Sequence, residues 1–118
     1  MTKIFYMKFL LLLFFLIFLT SSCSMTLPVK GMVQNSDETF QGSATGYLGG
    51  SGSLEIISNT GVKCKGNFVY VTSRQGEGVF NCDDGRSGPF EFVSSGTNGT
   101  GYGDLGGSRF TFTFGYFN

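Results

Sequence analysis

Cys64 with Cys82, Asp83 beside Asp84, Glu77 with Glu91, and the run Gly101-Tyr102-Gly103-Asp104-Leu105-Gly106 are the places where residue type and spacing could support chemistry. A thiol pair can cross-link, bind a metal or carry electrons. Metal and redox sites usually bring cysteines together as CxxC or add histidine, and this chain has neither that spacing nor any histidine. A structural disulfide is therefore the expectation for Cys64 and Cys82. Asp83 and Asp84 could hold calcium, but the further oxygen ligands of a calcium loop are missing, and Asp83-Asp84-Gly85 has the composition of a hairpin turn. Glu77 and Glu91 could act as general acid and base if they met; solvated carboxylates on a polar sheet face are the ordinary explanation. The GxGxxG run would need a strand before it and a helix after it to aim amides at a pyrophosphate. Residues 110–117 alternate as a strand, so no nucleotide site is expected, and neither is a cofactor or a metal.

The element that must position these residues is a β-meander. From Gly52 to Phe92, glycine or cysteine alternates with large apolar residues at every second place, the side-chain period of a strand. If Asp83-Asp84-Gly85 is a three-residue hairpin loop, Phe80 faces Gly88, Gly78 faces Phe90 and Gly76 faces Phe92. With Val71 to Gln75 as the preceding connection, Tyr70 faces Gly76, Phe68 faces Gly78, Phe80 faces Gly66, and Cys64 faces Cys82. Cross-strand neighbours lie roughly 4.5–5.5 Å apart at Cβ, close enough for a disulfide. Asn59-Thr60-Gly61 as a further loop places Ile56 opposite Cys64, Leu54 opposite Gly66 and Gly52 opposite Phe68. A loop at Ser95 to Asn98 puts Phe92 opposite Gly101 and Phe90 opposite Gly103.

The outer registers follow from turns at paired glycines. A turn at Gly49-Gly50-Ser51 sets Gly46 against Leu54 and Ala44 against Ile56. A loop at Gly106 to Arg109 sets Leu105 against Phe110, Gly103 against Phe112, Gly101 against Phe114 and Gly99 against Tyr116. A ring lying over a bare glycine covers the backbone that glycine leaves exposed. The expected fold is all-β: one antiparallel meander of about seven strands, strongly curled, either an open sheet or a small barrel, with one disulfide.

Such a sheet is one-sided. Phe68, Tyr70, Phe80, Phe90, Phe92, Phe110, Phe112, Phe114 and Tyr116 project one way, while Lys63, Lys65, Asn67, Glu77, Asn81, Glu91, Asp104, Thr111 and Thr113 project the other. Curling buries the rings. An open sheet would instead offer Phe68, Tyr70, Phe80, Phe90, Phe92, Phe112 and Phe114 as a candidate binding face for a small ligand or glycan.

The start of the chain is of another kind. Lys3 and Lys8 precede an apolar run from Phe9 to Leu19, and small residues follow before Cys23, the layout of a secretory signal helix. Leu19-Thr20-Ser21-Ser22-Cys23 resembles the lipobox of bacterial lipoproteins, with Thr20 where leucine is usual. That resemblance implies cleavage before Cys23, a diacylglycerol on its sulfur and export through the inner membrane; Ser24 in place of aspartate implies sorting to the periplasmic side of the outer membrane. With Cys23 acylated, the remaining two cysteines make one pair, as an oxidising compartment permits. The resulting division is a signal peptide at 1–22, a lipidated N-terminus and flexible tether at 23–38, and a β-meander domain at 39–118.

Glycine and aromatic motifs recur about every 25 residues. Cys64-Lys65-Gly66-Asn67-Phe68, then Gly76-Glu77-Gly78, then Asp84-Gly85 resembles the MORN repeat, with cysteine in place of its first aromatic. That resemblance implies a hairpin-built sheet and an association with membranes and scaffolding. The chain carries 8 basic and 8 acidic residues, and Lys3 and Lys8 fall in the leader, so the mature part is slightly acidic and nucleic acid is not an expected partner. Taken together, the expectation is a lipid-anchored envelope protein, attached to the membrane through its N-terminal lipid, that acts as a structural or protein-interaction module for an envelope protein partner, without catalysis. A ligand- or glycan-binding module and a phage-type surface-exclusion lipoprotein are the alternatives.

Overall fold

A sheet with rings on one face and charges on the other must bury the rings, and with no helix among the described residues to cover them it can do so by closing on itself. The computed structural model describes residues 24–47 and 49–116, and these close. Eight strands follow in chain order: β1 (Ser24–Val33), β2 (Thr39–Tyr47), β3 (Ser51–Ser58), β4 (Lys63–Tyr70), β5 (Gln75–Cys82), β6 (Ser87–Ser95), β7 (Asn98–Leu105) and β8 (Ser108–Gly115). Each pairs antiparallel with the next, and β1 pairs with β8 from Val29↔Phe114 to Val33↔Phe110. Eight strands enclose a space that side chains can fill. Here Phe40, Phe80, Phe90 and Phe110 fill its middle, each 1% exposed. Phe80 lies 5.6 Å from Phe110 and 6.2 Å from Phe112, edge to face in both cases, the arrangement that aromatic quadrupoles favour. Lys63, Lys65, Asn67, Glu77, Asn81, Glu91, Asp104, Thr111 and Thr113 are all on the exposed wall.

The central registers agree with the sequence reading from β3 through the start of β7: Cys64↔Cys82, Gly66↔Phe80, Gly78↔Phe90 and Phe92↔Gly101 are all paired. Cys64 and Cys82 form a disulfide with Cα atoms 3.9 Å apart. The Asp83 N–H donates to the Lys63 carbonyl, so the cysteines occupy the adjoining non-hydrogen-bonded position, where side chains approach most closely. Closing a loop with this separation of 18 residues stabilises the barrel by about 3 kcal/mol in the chain-entropy account.

Three expectations are corrected. The 24–33 part of the expected tether is strand β1, which makes eight strands where about seven were expected and closes the barrel. Leu27, Val29, Gly31 and Val33 alternate inward; Val29 and Val33 are buried, and Gly31 lies under the Phe110 ring. Pro28 masks this pattern, but it lies where β1 is paired with β2 alone, and a strand edge tolerates proline. The register of β2 with β3 is two residues from the expected one, with Gly46↔Gly52 and Ala44↔Leu54, because Ser51 is already paired, with Tyr47, and does not belong to the turn. The register of β7 with β8 differs likewise, with Gly101↔Phe112 and Gly99↔Phe114. Gly106 (φ 59°) and Gly107 (φ 87°) both take positive φ, which makes a two-residue hairpin turn and not a four-residue loop.

Glycines inside the strands serve two purposes. At Gly52, Gly76, Gly99 and Gly101 a Cβ would overlap the rings of Phe68, Phe92, Phe114 and Phe112 respectively, the covering arrangement anticipated above, with the anticipated ring at Gly52 and Gly76 and with a ring two residues earlier at Gly99 and Gly101. At Gly42, Gly88 and Gly103 the obstacle is the backbone of the neighbouring strand, as expected where strands bend sharply to turn the wall of a narrow barrel.

Candidate functional site

The two ends of the barrel differ. At the far end, where the turns after β1, β3, β5 and β7 lie, Arg86 Nη1 and Nη2 donate to Glu38 Oε1 and Oε2 at 2.6 and 2.8 Å, and Arg86 Nε donates to Asp84 Oδ2 at 2.7 Å. This bidentate pair ties the β1–β2 turn to the β5–β6 turn across the end of the barrel. The Arg86 guanidinium, through hydrogen bonds first and charge second, holds the Glu38 carboxyl below its ordinary 4.5. Hydrogen bonds from Arg86, its backbone N–H foremost, lower Asp84 as well, and the Arg86 pKa rises in return.

The other end is a mouth. Its walls are Leu27, Leu54, Phe68, Tyr70, Phe92 and Phe114 with neighbouring small residues, around a cavity of about 60 Å³. Tyr70 packs edge-on against Phe68 (5.9 Å) and Phe92 (5.4 Å), and Phe92 packs against Phe114 at 5.6 Å. One side of the mouth is roofed by an overhang: residues 24–28 of β1 pair with 43–47 of β2 but lie beyond the part of β1 paired to β8. The surface so formed is apolar, and its chemistry is contact with apolar groups.

The residues expected to form an aromatic binding face are placed otherwise. Phe68, Phe80, Phe90, Phe92, Phe112 and Phe114 are buried as the core, because closure turns the ring face inward; Tyr70, 38% exposed at the mouth, is the one that reaches solvent. Glu77 and Glu91 do stand together, as direct cross-strand partners on the outer wall. Glu91 Oε2 accepts from the Tyr102 hydroxyl at 2.9 Å, which raises the Tyr102 pKa, and the Arg109 guanidinium lies 4.4 Å from the Tyr102 ring centre. Asp83 Oδ1 accepts from the Lys63 N–H at 3.2 Å, so it and Asp84 serve the turn. The GxGxxG run is β7 and the turn into β8, with Gly101 beneath the Phe112 ring. Among the described residues there is no group of three or more histidine, cysteine, aspartate or glutamate side chains that could hold a metal ion. Cys23 and the leader lie outside the described residues.

Sequence reasoning missed the Glu38–Arg86 clamp and the Glu91–Tyr102–Arg109 strip. Glu38 and Arg86 are 48 residues apart and meet only because the barrel closes. The strip was within reach of the register, since Glu91↔Tyr102 are cross-strand partners.

No protein-family model matches the chain, and no characterised protein sequence does. Among solved structures, that of a redesigned beta barrel, mFAP1, bound to DFHBI, is similar, with TM-score 0.64 and 14% identity over 77% of this chain and 92% of that one. At that identity the likeness is one of fold.

Proposed function

We propose that this chain is a lipid-anchored protein of the bacterial cell envelope, exported through the inner membrane and held by Cys23 on the periplasmic side of the outer membrane. There the barrel serves as a structural or protein-interaction module without catalysis. The observation that carries this reading is the Cys64–Cys82 bond. It suits an oxidising compartment and uses two of the three cysteines, so the third, at the end of the lipobox-like Leu19-Thr20-Ser21-Ser22 run, is the thiol to be acylated. A core of phenylalanine leaves the outer wall and the two ends as the working surfaces.

The small-ligand or glycan reading has less support. The mouth holds about 60 Å³, whereas ligand pockets typically have about 300–1,000 Å³. Inhibition of lipoprotein signal peptidase with globomycin, or Cys23→Ala, tests the anchor: the unprocessed precursor should accumulate with a mobility shift, and mature protein should disappear from the membrane fraction. Unchanged mobility together with soluble wild-type product would end the proposal.

A further inference from the structure

The end of the barrel that carries the mouth is also the end at which the chain enters. Ser24, the residue after Cys23, is already the first residue of β1 and pairs with Tyr47. No slack chain separates the acylation position from the barrel, since consecutive Cα atoms are about 3.8 Å apart. Met25 (53% exposed), Tyr47 (52%), Val71 (55%) and Tyr116 (68%) surround the same end, beside Tyr70. Tyrosine and short apolar side chains are the composition found at headgroup depth, where a ring can meet hydrocarbon while its hydroxyl stays wet.

Charge is distributed to match. The far-end turns carry Asp37, Glu38, Asp83 and Asp84 against Arg86, whereas the described residues of the mouth-end turns, 49–50, 71–74 and 96–97, carry Arg74 and no carboxylate. Lys63 and Arg109 border the far-end turns, so the difference between the ends is small, and it favours the second end at an anionic lipid surface.

We propose that the barrel stands with its mouth end against the lipid surface, Tyr47, Tyr70, Val71 and Tyr116 at headgroup level, and the Glu38–Arg86–Asp84 end directed away from the membrane. This rests on the anchored reading, and adds to it an orientation and a lipid contact that a long flexible tether would not impose.

The chain contains no tryptophan, so a single introduced indole reports one position. Mature lipidated protein carrying Tyr47→Trp or Tyr116→Trp at the mouth, or Gln34→Trp at the far end, is reconstituted into phosphatidylethanolamine–phosphatidylglycerol vesicles with brominated acyl chains. Circular dichroism checks the fold of each variant, and the two mouth positions back each other. Both mouth indoles should lose emission to the brominated lipid, shift to shorter wavelength and resist aqueous acrylamide, while Gln34→Trp does none of these. Vesicle-bound protein whose mouth indoles are no more quenched than Gln34→Trp overturns the orientation and leaves the anchor intact. Equal quenching at both ends shows a barrel lying on its side and overturns it too. Protein that does not float with the vesicles removes the anchored reading and this one together. Mouth indoles shielded in native envelopes but not in vesicles would assign the surface to a protein partner and end the lipid proposal.

Discussion

Glycine is tolerated within strands here because something else occupies the volume its side chain would take. At Gly101 an added Cβ would overlap the Phe112 ring and stand 2.7 Å from the Glu91 carbonyl, and Phe112 is itself held edge-on by Phe80 and Phe90. Both the packed ring and the backbone carbonyl would have to give way. Gly101→Ala should therefore cost about 1–3 kcal/mol, in spite of alanine's more favourable chain entropy. Gly46 is the matched control: it is also in a strand, has no positive φ, and no atom lies within 4 Å of its added Cβ. Gly46→Ala should be neutral or raise stability by up to about 1 kcal/mol. Urea denaturation of both variants decides it; equal loss at the two positions would mean that strand glycines are interchangeable and that ring cover explains nothing.

At the scale of elements, legibility depended on the turns. Asp83-Asp84-Gly85 and Asn59-Thr60-Gly61 each offer one glycine where a left-handed residue is needed, and Gly85 (φ 93°) and Gly61 (φ 90°) occupy it, so the pairings hung on them were readable. Gly49-Gly50 and Gly106-Gly107 offer two, the loop can begin at more than one place, and both registers read from them were displaced by two residues. Because strand side chains alternate with period two, a displacement of that size keeps the same residues inside, which is why the buried face was legible even where the partners were not. The clamp between turns was out of reach altogether, since it depends on closure.

That clamp has a pH signature. Glu38 has a folded pKa below its ordinary 4.5, so between the two values the unfolded chain binds more protons than the folded one. Its contribution is then fully present above about pH 4.5 and is lost as pH falls through the lowered folded value. Glu38→Gln should reduce stability by about 1–2 kcal/mol at pH 7, the range for hydrogen bonds to a charged group that is still partly solvated. The deficit should shrink in denaturation curves recorded as pH falls through that lowered folded value, where the wild-type carboxyl becomes protonated as well. A deficit independent of pH would assign Glu38 a packing role only.

At the scale of the whole molecule, closure decides what counts as the domain. A meander of 39–118 has every aromatic pair of the core, and by composition alone it looks self-sufficient. Without β1, however, β2 and β8 become free edges. Val29 and Val33 leave the core, and the ring of Phe110 loses Gly31, which it covers from the adjacent strand. Unpaired edges flanking an exposed phenylalanine face are a template for intermolecular pairing, so the loss is more than that of one strand's contacts. A chain starting at Thr39 should consequently fail to give a monomeric cooperative barrel and should aggregate, whereas one starting at Ser24 should fold and form the Cys64–Cys82 bond. Size-exclusion chromatography with thermal unfolding separates the two outcomes. A monomeric 39–118 fragment that melts as sharply as the longer chain would return 24–33 to the status of a tether. The orientation argued from the missing slack at Ser24 would then fall with it.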